Sequence, residues 1–257
     1  MADWNAEAYH RVSEPQLRWG LEVLPRLPLR GDETVLDAGC GSGRLTAKLA
    51  ERLPRGHVLA LDVSPSMLER ARRELASFGE RVTVQQADLA KLELVDAADA
   101  VFSNATFHWV NDHDSLFAGL FRALRPGGRL VAQCGGGENL VRLRGRALSV
   151  LRARWPEAAS RWTEPWFYSD AERARAQLQR AGFTDIRTGL VDAPTPFATP
   201  AAYREFCGMV VLRHHLELLP DGAARDDFLD AMTQLAGADG PALTIDYVRL
   251  NIDARKP

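Results

Sequence analysis

The chain has 257 residues, 46% apolar and 26% charged, with 32 Lys+Arg against 34 Asp+Glu and a net charge of −2. This is ordinary globular composition, long enough for a buried core, and it excludes a disordered tail, a fibrous repeat and a disulfide-stapled miniprotein. So even a balance offers no basic field for a phosphate backbone and argues against nucleic acid as the main partner.

In chain order, Met1 to Val12, with Trp4 and Tyr9, reads as a lid helix or as an amphipathic helix packed on a sheet. Its acidic start has no apolar targeting core, and no later run is long enough to span a bilayer, so a cytoplasmic protein without a membrane partner is expected. Thr34 to Asp37 is a buried strand ending in glycines, after which Leu45, Leu49 and Leu53 recur at four-residue spacing as on one helix face. His57 to Asp62 is the next strand, followed by a helix with Ser64 as N-cap, Pro65 at its first position and an apolar face of Leu68, Ala71 and Leu75.

Arg81 to Gln86, Ala100 to Ser103 and Leu130 to Gln133 are further strands, with a helix on Leu116, Leu120 and Leu124 stopped by Pro126-Gly127-Gly128. Beyond Gly137 the pattern predicts helices over 140–155 and 200–219. It also predicts one opened by a Ser169/Glu172 capping box, and alternating strands over 184–191 and 243–252. Strands joined by single helices specify a parallel sheet covered on both faces. The simplest architecture is one α/β domain with a helical insertion over the carboxyl ends of the strands, where such sheets bind ligands.

The segment Val35-Leu36-Asp37-Ala38-Gly39-Cys40-Gly41-Ser42-Gly43 lies between a strand and a helix, where glycines let the backbone approach a ligand beside unpaired helix N–H groups. It lacks the third glycine of a dinucleotide fingerprint, since Arg44 stands there, and it lacks the Gly-Lys-Ser/Thr of a phosphate loop. Asp37 would repel a pyrophosphate and suits a ligand with a cationic amino group. Asp62, ending the next strand, can accept from both hydroxyls of a ribose. In Ala87-Asp88-Leu89 the acid can accept an adenine amino group, and Ser103-Asn104-Ala105 ends the fourth strand on the same cleft floor. The three cysteines, Cys40, Cys134 and Cys207, form no metal or redox pattern and suit a reducing compartment.

In this order and register, Tyr9 to Gln133 resembles the class I S-adenosylmethionine-dependent methyltransferases. The resemblance implies a Rossmann-like, seven-stranded, mostly parallel sheet whose last two strands form an antiparallel hairpin. It implies S-adenosyl-L-methionine as cofactor, S-adenosyl-L-homocysteine as product and a small-molecule acceptor. Carried over, Tyr9, Asp37, Ala38, Gly39, Cys40, Gly41, Gly43, Asp62, Val63, Met67, Ala87, Asp88, Leu89, Ser103, Asn104 and Ala105 form the cofactor site. Val63 and Met67 would flank the adenine. One domain over 1–257 follows, with lid helices in 1–30, the cofactor core in 31–137, substrate-side insertions in 138–242 and the final strand in 243–257.

Within the class, Asp3-Trp4-Asn5, Tyr9, Phe102 to Ala105, Trp109 and Val248 to Arg255 resemble trans-aconitate methyltransferase, while Tyr9 to Leu24 and Phe107-His108-Trp109-Val110 resemble juvenile hormone acid methyltransferase. Both esterify a carboxylate. A basic residue in place of Gln16 and a glutamine in place of His108 would complete the first resemblance, and their absence argues against a tricarboxylate acceptor. Gln16, His108 and Trp109 are the candidate catalytic residues. An ionised carboxylate needs no base, so donors that orient it suffice, while His108 becomes a base if the acceptor is a hydroxyl.

Arg142, Arg144, Arg146, Arg152 and Arg154 read as a solvated helix face, and Arg213, His214 and His215 lie where an insertion helix overhangs the cleft. The histidine pair lacks the i, i+4 spacing of a helical metal site, and no metal is expected. Methylation of a quinone, polyketide or acyl-carrier-bound intermediate is the alternative chemistry, and a cofactor-binding module without turnover is the alternative class. A nucleic-acid methyltransferase is disfavoured by charge and by a fourth strand without the Asn/Asp-Pro-Pro-aromatic segment.

Overall fold

Two helices, α1 (Ala6–Val12) and α2 (Glu14–Val23), precede the first strand in the structure, a computed structural model that describes residues 6–257 apart from the side chains of Ala8 and Tyr9. Strand and helix then alternate as β1 (Thr34–Ala38), α3 (Arg44–Glu51), β2 (His57–Asp62), α4 (Pro65–Leu75), β3 (Val82–Gln86), β4 (Ala98–Asn104), α5 (His113–Ala123) and β5 (Leu124–Gly135). The remainder runs α6 (Val141–Arg154), α7 (Pro156–Ser160), α8 (Ala171–Ala181), β6 (Thr184–Asp192), β7 (Thr195–Pro196), α9 (Pro200–Phe206), α10 (Arg213–Glu217), α11 (Gly222–Gly237), β8 (Thr244–Ile245) and β9 (Val248–Arg255).

Seven strands form one sheet in the order β3-β2-β1-β4-β5-β9-β6. Strands β1 to β5 pair in parallel, and β9 runs antiparallel between β5 and β6, as the resemblance implied. Because β1 leads to β2 on one side while β4 lies on the other, their carboxyl ends bracket the switch point at which open α/β sheets bind ligands. Leu36, Val101 and Ile252 pack with Leu116 and Leu120 of α5 and Leu178 of α8 on one face, and Val35, Val58 and Phe102 pack with Val23 of α2 and Leu49 of α3 on the other. The central strands are apolar at nearly every position for this reason.

The insertion has its own core, in which Leu143 and Leu151 of α6, Tyr203 and Phe206 of α9 and Phe228 and Met232 of α11 meet Trp19 of α2 and Tyr247 beside β9. This core ties the insertion to the sheet. Helix α11 went unforeseen, although Asp221 caps it by accepting from the Ala224 amide and its apolar residues recur at four-residue spacing.

Three local expectations are corrected. The expected 200–219 helix breaks into α9, a π-helical turn at Cys207–Val211 and α10, and the turn carries Val210 and Val211 to the cavity described below. The cap of α8 is Asp170, which accepts from the Arg173 amide at 2.8 Å, while Ser169 is buried and its carbonyl accepts from Gly137. The last sheet strand starts at Val248 instead of Leu243. Two residues before it, Asp246 instead accepts from the amides of Arg142 and Leu143, in the first turn of α6, whose N-cap residue Leu140 is in the left-handed region and supplies no capping side chain of its own. Among the described residues, no helix is long and apolar enough to cross a membrane.

Candidate active site

A cavity of about 520 Å³ opens at the carboxyl ends of β1, β2 and β4. Its first wall is the loop from β1 to α3. The amides of Gly39 and Cys40 both donate to the Leu61 carbonyl at 2.8 Å, so the loop continues the β1–β2 ladder before it turns. Gly39 has φ +89 and its backbone lies against Thr106, where an added Cβ would come within 2.1 Å of the Thr106 hydroxyl oxygen. Gly41 has φ +53, and a Cβ there would meet nothing within 4 Å.

Two aspartates anchor this loop. Asp37 is buried at the end of β1, and Thr46 of α3 donates to its Oδ2 at 2.7 Å. Burial pushes its pKa up to about 7, opposed by the Thr46 hydroxyl and reinforced by the charge of Asp62. At the end of β2, Asp62 accepts from the Gly41 amide at 2.9 Å through Oδ2 and from the Ser64 amide at 3.0 Å through Oδ1. One carboxylate thus holds both the glycine loop and the entrance to α4, where Ser64 caps by accepting from the Met67 amide. Asp88 accepts from the Ala90 amide, and exposed Val63 with buried Met67 and Leu89 adds an apolar strip nearby.

The floor is the end of β4. Asn104 donates through Nδ2 to the Gln16 carbonyl at 2.9 Å, which pins α2 to the sheet and orients the amide. Its Oδ1, like Gln16 Oε1, is buried with no hydrogen-bond partner among the described residues. Ala105 follows with φ +57, a strained conformation for a residue with a Cβ and one that clusters at functional sites.

His108 and Trp109 form the opposite wall. The Gly135 amide donates to His108 Nδ1 at 3.2 Å, which makes Nδ1 the acceptor and leaves the ring proton on Nε2. Burial, with the nearby charge of Arg249 and with His113, holds the imidazole well below its usual pKa and therefore neutral. Trp166 lies 5.8 Å from Trp109 between ring centroids and stacks on Tyr168, which stacks on His108. Arg249 of β9 lines the same region, only 3% exposed, with Nε donating to Gln133 and its guanidinium 4.5 Å from the Trp19 ring centroid.

The structure therefore brings Gln16, Asp37, Gly39, Cys40, Gly41, Asp62, Val63, Met67, Ala87, Asp88, Leu89, Asn104, Ala105, His108 and Trp109 to one cavity. Three expected residues do not line it. Ala38 and Ser103 are spent on each other, Ser103 Oγ donating to the Ala38 carbonyl at 2.6 Å, and Gly43 caps α3 against Ala71. Trp4 and the side chain of Tyr9 lie outside the described residues. Arg142, Arg144, Arg146 and Arg154 pair with carboxylates. His214 contacts Trp109 and Trp166, and His215 is buried against Trp162. Arg249, Trp166, Tyr168 and Thr46 were not foreseen. Arg249 and Thr46 carry no local motif, and the two aromatics come from a loop without periodicity.

Helix α1 crosses the rim. His10 bonds to Ser42 and Arg70, Arg44 donates to the His10 carbonyl, and Arg11 pairs with Glu205 of α9. Of these contacts only the Arg11–Glu205 pair is exposed, and such an exposed pair contributes little.

Residues 35–128 match the family model described as a methyltransferase domain. The chain is 34% identical to trans-aconitate 2-methyltransferase of Methylobacterium radiotolerans, over 100% of this chain and 99% of that one, and 31% identical to that of Acidovorax sp. over the same shares. Phosphoethanolamine N-methyltransferase 2 of Haemonchus contortus, solved with phosphomonomethylethanolamine and S-adenosylhomocysteine, superposes with a TM-score of 0.66 at 20% identity, covering 98% of this chain and 57% of that one. With this fold, the acid-and-glycine cavity and full-length identity above 30%, the chain belongs to the trans-aconitate 2-methyltransferase family of class I S-adenosylmethionine-dependent methyltransferases.

Proposed function

We propose that the protein methylates a carboxylate oxygen of a small-molecule acid. The observation that carries this reading is the division of charge across the cavity. Asp37, Asp62 and Asp88 gather at the ends of β1, β2 and β3, whereas the buried guanidinium of Arg249 stands across the sheet on β9. An acidic half suits a cofactor that carries an ammonium group, a sulfonium and hydroxyl donors, and a basic half suits an anionic acceptor. The two trans-aconitate 2-methyltransferases named above support the same chemistry.

S-adenosylmethionine, when bound, supplies a methyl group on an electrophilic sulfonium. On this reading Asp62 accepts the ribose hydroxyls, Asp88 the adenine amino group, and Asp37 faces the amino-acid end. Gly39, Cys40, Gly41 and Ala105 let the backbone approach, Ala87, Val63, Met67 and Leu89 flank the adenine, and Asn104 Oδ1 gains a donor. Gln16, Trp109 and the Nε2–H of His108 orient the acceptor, and α1 closes as a lid that excludes water. Donation from Gly135 to Nδ1 disfavours His108 as a base, so acceptors already ionised near neutral pH fit best.

The test is transfer of labelled methyl to a panel of acids, phenols and acyl carriers, with release of methanol in mild alkali. Alkali-labile label is expected. Alkali-stable label would move the chemistry to ether or carbon methylation, and tight cofactor binding without any transfer would favour a non-catalytic module. Gln16→Ala and Trp109→Ala should lower kcat/KM for the acid by about tenfold to a hundredfold with cofactor affinity nearly unchanged.

Cofactor binding should also depend on pH through Asp37. Its raised pKa means that the free protein holds a proton there below about 7, and a cation in the cavity favours the ionised form. Affinity should therefore rise between pH 6 and 8 with proton release, seen by calorimetry in buffers of different ionisation enthalpy. The same shift makes Asp37's contribution to folding greatest below the ordinary carboxyl value of 3.8 and lost as pH rises to about 7. Asp37→Asn should flatten the affinity profile; a profile as steep as the parent's would remove Asp37 from the site.

A further inference from the structure

Resting on the carboxylate reading, we infer that the Tyr168 hydroxyl binds the acceptor, as a second donor beside the Nε2–H of His108 for a carboxylate of the acid. Tyr168 lines the cavity from the segment that leads into α8. Backbone hydrogen bonds pin that segment on either side of it. The Phe167 amide donates to the His108 carbonyl at 2.9 Å, and the Ser169 carbonyl accepts from the Gly137 amide at 3.0 Å. The ring stacks on His108 with centroids 5.8 Å apart and on Trp166 at 6.0 Å, and the Arg144 guanidinium lies 5.2 Å from its centroid. Both backbone and ring are thus fixed beside His108.

The end of β5 and the turn into α6 set which way the hydroxyl donates. Asn139 Oδ1 accepts from the Val248 amide at 2.8 Å, so the amide nitrogen of Asn139 is the end that meets the Tyr168 hydroxyl. An amide nitrogen only donates. The phenol oxygen is therefore the acceptor in that bond and keeps its own proton to give. Burial raises the phenol's pKa above its usual value, so that proton is present throughout the neutral range. Gly135 treats His108 in the same way, its amide donating to Nδ1 and leaving the proton on Nε2.

The same glycine leaves the room that this arrangement needs. A Cβ at Gly135 would come within 2.7 Å of Tyr168 Cε1 and 2.8 Å of Asn139 Nδ2, so the three residues are in contact. One stretch of chain, Gly135 to Asn139, thus fills an acceptor position on each of two stacked rings, and both rings line the cavity with a proton to donate. Carboxylate oxygens only accept, and a pair of fixed donors matches them. Ser13, Gln16, Asn111, Tyr247 and Arg249 line the same cavity and give it further polar surface for an oxygen-rich acid.

The experiment uses the full-length protein with trans-aconitate as probe. Transfer of labelled methyl is followed beside binding, read by quenching of tryptophan fluorescence in the presence of S-adenosylhomocysteine. Tyr168→Phe keeps the ring and removes the hydroxyl, whereas Tyr168→Leu removes both. A hydrogen bond to a charged group is of the stronger kind, so Tyr168→Phe should raise the Kd for trans-aconitate about tenfold or more, with kcat/KM falling in step. Tyr168→Leu should lose at least as much. The Kd for S-adenosylhomocysteine should stay within about twofold of the parent's in Tyr168→Phe, which shows that the fold is intact. Binding and methylation by Tyr168→Phe within about twofold of the parent would overturn this inference, and a loss confined to Tyr168→Leu would assign the ring to packing; the carboxylate reading would stand in both cases. An equal weakening of S-adenosylhomocysteine binding in Tyr168→Phe would overturn it as well. Should the parent methylate another acid of the panel and not trans-aconitate, the same comparison on that acid decides the question. Alkali-labile transfer to no acid would overturn the carboxylate reading and this inference with it.

Discussion

Asp62→Ala is expected to weaken S-adenosylmethionine binding by on the order of 3 kcal/mol, more than a hundredfold in Kd by calorimetry. The effect is large because the carboxylate does two jobs. Within the protein it accepts from the Gly41 and Ser64 amides, and thereby sets the spacing between the glycine loop and the first turn of α4. Toward the ligand it accepts the ribose hydroxyls on the reading given above, since a carboxylate has about four acceptor positions. Alanine removes both functions and leaves two amide donors to find water. Asn keeps one acceptor oxygen, so Asp62→Asn should lose about tenfold only. A Kd within threefold of the parent for Asp62→Ala would refute the assignment of the cofactor to this end of the cavity.

Gly39→Ala and Gly41→Ala should separate folding from binding within one loop. At Gly39 the added methyl group meets Thr106, whose hydroxyl donates to the Gly39 and Asn104 carbonyls and so is not free to swing away. Left-handed backbone strain and overpacking together should cost on the order of 3 kcal/mol, a fall in Tm of about 6–12 °C. At Gly41 the conformation is also left-handed but the added carbon meets open space, so the stability loss should be about 1 kcal/mol. The methyl group at Gly41 occupies room beside the cavity, and its main effect should be on cofactor affinity. Equal Tm values for the two variants would show that the Gly39 backbone and the Thr106 side chain are not packed as described.

Much of the acid-and-glycine side of the cavity could be read without coordinates, because its determinants are local. The glycine loop, Asp62 and Asp88 each close a strand at a sheet edge, and the Ser64-Pro65 cap is a contiguous signal that the structure retains. The opposite wall was read less well. Gln16 and Trp109 were found through resemblance, and Arg249 lay inside a quoted segment without being singled out. Nothing near Arg249 in the chain indicates that it sits over Trp19 or beside Gln133, which is 116 positions away.

The chain's own pattern determined the alternating strands and helices, the buried parallel sheet and the acid-and-glycine loop. These follow from burial periodicity, turn chemistry and capping over a few residues. Tertiary structure alone decided which tautomer His108 holds, since the Gly135 amide donates to it from the neighbouring strand. It alone placed Asp246 on the start of α6, 104 positions from Arg142, and cut the last strand short. It alone gathered α2, the β4–α5 turn, the loop before α8, the π-helical turn and β9 around one cavity. The physical reason is common to all three: a buried polar group takes whichever partner the packing of distant segments brings within reach, and no local propensity encodes that choice.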